Sequence, residues 1–217
     1  MKKLFFTIIL ILLLTLGYLI IVLSTKGYET NKFNEIISKK IIKNNQSISL
    51  KLEKIKFKID VKDLSLFLET ENPELYYQNI NIPIKSIKVY LDFISLIKAK
   101  PKIDSANIVS EEINIDQLKK IINKTKPSNL NSLINNKIKS GKLLSNFELY
   151  FDENLKIENY IARGEVKDMH AIINNDLILR ETSFNFFSDN TDTLIKNIKS
   201  KMDGVLLKNG NVQIDRN

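Results

Sequence analysis

The 217-residue sequence predicts a mainly β protein with short helices, in which an N-terminal transmembrane helix precedes a curved antiparallel sheet, a groove-like meander with a helical insert. Three observations predict this fold class. An uncharged apolar run opens the chain, apolar and polar residues alternate over most of the remainder, and two segments near the middle show helical spacing instead. We therefore expect a signal anchor over residues 1–28 and a β-rich domain over residues 29–217.

The apolar run Leu4–Leu23 is 20 residues long and carries no charge. A helix that rises about 1.5 Å per residue covers about 30 Å over that length, which matches the hydrocarbon core of a bilayer. A cleaved signal peptide would have a shorter apolar region that ends in a small-residue cleavage site, and Val22–Lys26 offers none. The sequence therefore predicts an uncleaved anchor. Lys2 and Lys3 favour a cytoplasmic N-terminus, which puts the bulk of the chain on the far side of the membrane. In a Gram-negative bacterium that side is the periplasm.

The period of the apolar residues changes after the anchor. Asn31–Lys43 has helical spacing and predicts a short helix that lies on the membrane or plugs one end of the following sheet. From Gln46 the period is two, which predicts strands over Ile48–Leu52 and Ile55–Val61. The phase slips at Glu53-Lys54, and a β-bulge there would keep the same face inward.

Further strands follow a turn at Glu71-Asn72-Pro73, with apolar alternation over 87–93 and 147–151. Between them, Asp116–Lys124 and Asn129–Lys139 predict two helices, the second capped by Ser128 and stopped at Gly141. Short strands are expected up to the C-terminus, where 205–214 retains alternating apolar positions. Arg163-Gly164 predicts a bulge or turn, and the single histidine, His170, is expected at a strand end.

An antiparallel sheet with one apolar face must close on itself, pack against a second sheet, or curl into a trough whose inner wall stays apolar. Alternation alone leaves these three alternatives open. The trough suits lipid acyl chains, since a long apolar strip would otherwise favour aggregation. Its candidate lining is the set of alternating apolar residues Leu50, Leu52, Ile55, Phe57, Ile59, Val89, Leu91, Phe93, Phe147, Leu149 and Phe151.

Composition excludes several kinds of site. Without cysteine there is no disulfide, thiol nucleophile or thiolate metal site, and one histidine cannot make a histidine-rich one. Asp168 lies beside His170, but no serine or cysteine is visibly coupled to them. The net charge of +8 comes from lysines spread along every segment, which is unlike a nucleic-acid interface. We therefore expect no enzyme activity, no metal, no cofactor and no nucleic-acid partner.

One segment carries a family resemblance. Ile82–Ile115, IPIKSIKVYLDFISLIKAKPKIDSANIVSEEINI, has an alternating strand, a short turn with the apolar pair Leu96 and Ile97, and a returning strand. Together with the anchor and the NKFNEIISKKI stretch, it resembles the opening of AsmA-like proteins. That family includes AsmA and TamB and is related to the chorein-type bridge-like lipid carriers. The resemblance covers residues 1–110.

The resemblance implies an inner-membrane protein that projects a β-groove into the periplasm and takes part in phospholipid transport or outer-membrane biogenesis. Its expected partners are the membrane, through a single span, phospholipid, and envelope proteins. Family members are several times longer, so we expect either an incomplete N-terminal part or a short relative that works with partners. Two alternatives stay open. One is a periplasmic scaffold that recruits partners by β-strand addition, and the other is a small anchored lipopolysaccharide-export-type jellyroll, in which the helical insert has no place.

Overall fold

The computed structural model describes residues 2–31, 34, 38, 47–62, 65–92, 102–154, 156–174 and 176–215. Over these residues the fold is mainly β, which confirms the predicted class. The helices are α1 (Lys2–Thr25), α2 (Ile115–Ile122) and α3 (Asn129–Lys137). The strands are β1 (Tyr28–Thr30), β2 (Ile48–Lys51), β3 (Ile55–Asp60), β4 (Ser65–Glu71), β5 (Glu74–Tyr77), β6 (Ile80–Leu91), β7 (Ile103–Ser110), β8 (Ile113–Asn114), β9 (Ile138–Phe151), β10 (Ile157–Asn174), β11 (Leu177–Ser188), β12 (Asp192–Met202) and β13 (Val205–Asp215).

All described strands belong to one open antiparallel sheet that does not close into a barrel. Its main path runs β1-β3-β4-β6-β7-β9-β10-β11-β12-β13. Strand β6 is long enough to pair with both β4 and β5, and β5 pairs with β2 on its other side. In the same way, β9 pairs with both β7 and β8. The path therefore ends in two edges, at the three-residue β1 and at the eleven-residue β13.

Helix α1 is long and apolar enough to cross a bilayer, and none of the side chains in its apolar stretch is buried within the protein. The hydroxyls of Thr7 and Thr15 donate to backbone carbonyls one turn earlier, at 2.9 Å, which satisfies them without water. The backbone N–H groups of Lys26 and Gly27 both donate to the Val22 carbonyl and close the last turn. The helix therefore ends directly before β1.

Two hairpins are closed by two-residue loops in which both residues have positive φ. They are Gln78-Asn79, between β5 and β6, and Asp203-Gly204, between β12 and β13. Such loops match the right-handed twist of the strands that they join, and Asp-Gly is one of their preferred sequences. These loops keep sequential strands adjacent in the sheet.

A line of irregular positions crosses four neighbouring long strands. Gly141 in β9, Asp168 in β10, Glu181 in β11 and Asn197 in β12 all have positive φ, and the pairing register shifts beside each of them. An extra residue in one strand of a pair bends that strand and increases its twist. Because the four positions lie on adjacent strands, they bend this half of the sheet along a common line.

Two boundary predictions are wrong. The break at Glu53-Lys54 is no bulge: it separates β2, which pairs with β5, from β3, which pairs with β1 and β4. Helix α3 ends at Lys137, two residues before the predicted end. Ile138, predicted to lie on the apolar side of that helix, instead begins β9, where it pairs with Ala171 of β10. Gly141, expected to stop that helix, lies inside β9.

Strand interiors account for the other differences. Arg163-Gly164 is neither bulge nor turn but regular β10, and His170 lies inside the same strand rather than at its end. Val205–Asp215 form one continuous strand, β13. The predicted helix Asn31–Lys43 lies outside the described residues, except for Asn31, which is not helical, and the helical positions Asn34 and Ser38.

Candidate functional site

The register of the sheet places apolar residues in rows that run across the strands. In an antiparallel pair, directly opposite residues share a face, and residues two apart along a strand share it too. One row and the row beside it define what we call the apolar face: Tyr28, Phe57, Leu68, Val89, Ala106 and Leu149, then Ile87, Ile108, Phe147 and Ala162. The face continues over β11 to β13 through Phe186, Ile195 and Val212.

Most of the predicted lining residues lie together on this apolar face. They are Ile55, Phe57 and Ile59 of β3, Val89 and Leu91 of β6, and Phe147, Leu149 and Phe151 of β9. Leu50 joins them because β2 pairs with β5 and β5 pairs with β6, which puts Leu50 in line with Leu75 and Ile82. Leu52 lies between β2 and β3, outside any strand. Phe93 lies outside the described residues.

The apolar face is partly open to solvent. Phe147, in the middle of the sheet, is 39% exposed, and Val212 and Ile214 of β13 are 45% and 51% exposed, whereas Leu50, Ile55, Ala106 and Ala162 on the same face are buried. The total accessible surface is 15,381 Å², whereas a compact protein of 25.1 kDa would expose about 10,000 Å². A single-layer sheet and a helix that makes few contacts with it contribute to this excess. The trough alternative therefore fits the described fold, and the closed barrel does not.

Two pairs of hydroxyls lie on the apolar face. Those of Ser110 and Ser145 lie 3.0 Å apart, and those of Thr182 and Ser200 lie 2.7 Å apart. Thr70, opposite Ile87, is on the same face, and its buried hydroxyl has no hydrogen-bond partner. Sequence reasoning missed these residues because it followed apolar side chains only. The signal was present in β11, where Thr182 lies in phase with Phe184 and Phe186.

A glycine gives the apolar face its close packing at one point. Gly164 of β10 lies opposite Phe186 of β11. A Cβ atom at Gly164 would lie 2.8 Å from the Phe186 ring and 2.1 Å from the Leu144 carbonyl oxygen. The phenyl ring therefore covers the glycine backbone, and no larger residue fits there.

The other side of the sheet, which we call the charged face, carries ion pairs. The buried Glu69 carboxylate forms ion pairs with the ammonium groups of Lys58, at 2.6 Å, and Lys88, at 3.5 Å. Burial raises the pKa of the Glu69 carboxyl, but the hydrogen bonds and charges of the two lysines outweigh it and hold that pKa below its usual value. Farther along, Arg163 donates to Glu148 at 2.6 Å. Charged side chains of this kind suit a face that is in contact with water.

Helices α2 and α3 lie at one rim of the sheet. Asn114 caps α2 by accepting from the Gln117 N–H, and the Lys119 ammonium donates to the Ile138 carbonyl at the start of β9. The Tyr77 hydroxyl donates to the Lys124 carbonyl just beyond α2. These bonds fix the helical insert beside the ends of β5 and β9. Over the described ranges, His, Cys, Asp and Glu form no group of three that could hold a metal ion.

These features define a class of protein: an open single-layer antiparallel sheet with one apolar face, preceded by a helix that is long and apolar enough to span a membrane. No family model, curated protein or solved structure matches the chain. The AsmA-like resemblance stays a prediction that rests on the spacing of apolar residues.

Proposed function

We propose that this is an inner-membrane-anchored periplasmic protein of envelope biogenesis, which holds or passes phospholipid along the apolar face of its sheet. One observation carries the proposal: an apolar face that extends from β1 to β13 and lies partly open to solvent. A large apolar surface that a protein leaves exposed generally marks a binding site.

Acyl chains suit the apolar face in both chemistry and extent. Each methylene moved from water to such a surface contributes about 0.8 kcal/mol, without the need for directional partners. The path from β1 to β13 comprises nine inter-strand spacings, or about 43 Å. A phospholipid headgroup would stay in water at the open side of the trough.

Helix α1 would supply the anchor. Lys2 and Lys3 precede its apolar stretch, and basic residues favour the cytoplasmic side of such a span. The sheet would then stand in the periplasm with β1 nearest to the membrane. This arrangement puts one end of the apolar face next to a bilayer, where phospholipid is available.

Two phenylalanines provide a matched test of the lipid proposal. Phe147 lies on the apolar face and is 39% exposed, while Phe187 lies on the charged face and is 37% exposed. A lysine at position 147 would put a charge among the acyl chains, at a cost of several kcal/mol. We expect Phe147→Lys purified in mild detergent to lose most of its co-purifying phospholipid, measured by mass spectrometry, and Phe187→Lys to retain it.

Circular dichroism of both variants checks that the sheet is intact. Equal phospholipid retention by the two folded variants would contradict the proposal, because lipid would then not lie on the apolar face. Absence of phospholipid from the unsubstituted protein would contradict it as well.

A second candidate function is a scaffold that recruits partners by strand addition. The observation in its favour is the edge strand β13, whose outer backbone edge pairs with no other described strand. Val205 and Leu206 are more than half exposed on it, and Lys208 is its one lysine. Long edges of this kind accept strands from other chains.

A further inference from the structure

We propose that the turn between β3 and β4, at Val61-Lys62, lies in the headgroup layer of the bilayer that α1 spans, so that the sheet rests directly on the membrane surface. The inference rests on the anchoring role of α1 proposed above, but not on lipid binding by the apolar face. Its basis is the geometry of the junction between α1, β1 and β3.

The junction between helix and sheet is short and tightly packed. Lys26 and Gly27 alone separate α1 from β1, and both donate their N–H groups to the Val22 carbonyl. Gly27 has φ +76°, and a Cβ atom there would lie 2.9 Å from the Phe57 carbonyl oxygen of β3. Helix α1 also contacts β3 itself. The sheet is therefore held against the end of the helix without an intervening linker.

The strand directions bring the turn back to the membrane. Strand β1 leads away from α1 and pairs antiparallel with β3, with Tyr28 opposite Phe57, so β3 runs back towards the helix. Val61 lies four residues beyond Phe57, or about 13 Å at the rise of a strand. The three steps from Thr25 to Tyr28 span at most about 10 Å. Val61 therefore reaches the level of the last turn of α1, just outside the hydrocarbon core.

The side chains of the turn suit that depth. Val61 is 51% exposed, and Lys62 and Lys26 are both exposed. The sequence here is Asp60-Val61-Lys62-Asp63, with one exposed valine beside one lysine. At the membrane interface the valine would contact acyl chains and the Lys62 ammonium would meet a lipid phosphate, while the two carboxylates stayed in water. The Asp60 carboxylate accepts from the Lys62 N–H at 2.9 Å and fixes the turn. A bilayer leaflet is thus the partner to which this surface is matched.

The chain contains no tryptophan, so single-tryptophan variants can test the proposal without background. Val61→Trp probes the turn, and Leu12→Trp probes the middle of α1. Leu206→Trp is the control far from β1: Leu206 is 55% exposed in β13 and lies on the charged face, opposite Lys201. Each full-length variant is reconstituted into phosphatidylcholine–phosphatidylglycerol vesicles with or without brominated acyl chains. Tryptophan fluorescence is then compared between the two vesicle types.

We expect brominated lipid to reduce the fluorescence of Val61→Trp about two-fold, as for a side chain at the headgroup–acyl boundary, and to leave Leu206→Trp unchanged. Leu12→Trp should be quenched more strongly. Equal responses of Val61→Trp and Leu206→Trp would overturn the proposal while quenching of Leu12→Trp still showed an anchored protein. If Leu12→Trp is not quenched, α1 is not in the bilayer, and this inference fails together with the proposed anchor.

Discussion

Gly164 shows how one missing side chain shapes the apolar face. It is flanked by residues of regular β geometry, yet a Cβ atom there would meet both the Phe186 ring and the Leu144 carbonyl. The ring therefore lies over the backbone of β10 instead of standing out from β11. The sequence predicted a break in the strand at this glycine, because glycine usually marks turns and bulges. Its actual role depends on a residue 22 positions away.

We expect Gly164→Ala to lower the free energy of unfolding by about 3 kcal/mol, because the added methyl group overlaps the carbonyl oxygen as well as the ring. Gly210→Ala is the control: its Cβ atom would meet only side chains, the nearest being the end of Leu207 at 3.2 Å. Thermal unfolding followed by circular dichroism in detergent measures both. Equal unfolding temperatures for the two variants would show that the backbone at Gly164 can move away without cost.

Glu69 contributes to the stability of the fold, and this contribution depends on pH. Its pKa in the folded protein lies below the ordinary value of 4.5, so its ion pairs stabilise the fold above that pH and lose their effect as pH falls through the folded pKa. We expect Glu69→Gln to reduce the free energy of unfolding by about 1–3 kcal/mol at pH 7, with the difference from the unsubstituted protein shrinking below about pH 4.5. Unfolding measured from pH 3 to pH 7 checks this.

Glu181→Gln is the control for that series, since Glu181 pairs with Lys201 where both side chains are more than half exposed. Such pairs contribute about 0–1 kcal/mol to stability. The free energy of unfolding of this variant should therefore stay close to that of the unsubstituted protein at every pH in the series. If Glu69→Gln lowers the free energy of unfolding by the same amount at every pH, the charge of the buried carboxylate does not account for its effect.

At the scale of elements, the strands were predictable and their irregularities were not. Period-two alternation identified the segments that became β3, β6 and β9, because each has one face against apolar neighbours and the other in water. The line of bends through β9 to β12 had no such signal. Three of its four residues are Asp168, Glu181 and Asn197, and nothing in their local sequence marks them as bulges. Bulge positions depend on register between strands, which single-strand patterns do not contain.

Strand β13 is the element on which the scaffold function depends. Leu206 and Gln213 lie on its charged-face side, opposite Lys201 and Leu194. We expect the pair Leu206→Lys with Gln213→Lys to block any strand addition at this edge, because charges on an edge strand disfavour pairing with another chain. Cross-linking of envelope partners, compared with the unsubstituted protein, measures the effect.

If strand addition is the function, the paired variant loses its cross-linked partners and Phe147→Lys keeps them. If the protein instead acts by holding phospholipid, Phe147→Lys loses lipid and the edge variant retains it. The two sets of substitutions lie on opposite faces, so each result assigns function to one surface.

At the scale of the whole molecule, the pattern of residues could not decide whether the sheet was open. An inward-facing Val89 or Leu149 has the same sequence pattern in a barrel, a sandwich or a trough, since each of these buries alternate side chains. The difference lies in what covers the face, and this depends on contacts between distant strands. The open sheet follows from the pairing of β1 only with β3 and of β13 only with β12 within the described chain. That most of these residues share one face of the sheet was therefore predictable, and their exposure was not.

The two-residue passage from α1 into β1 governs how such a protein can grow. In the arrangement proposed above, strands run away from the end of the helix and back to it, so each extra hairpin would widen the sheet sideways by about 10 Å. Its reach above the membrane would instead be set by the length of the strands. Added hairpins would therefore enlarge the apolar surface without raising the sheet.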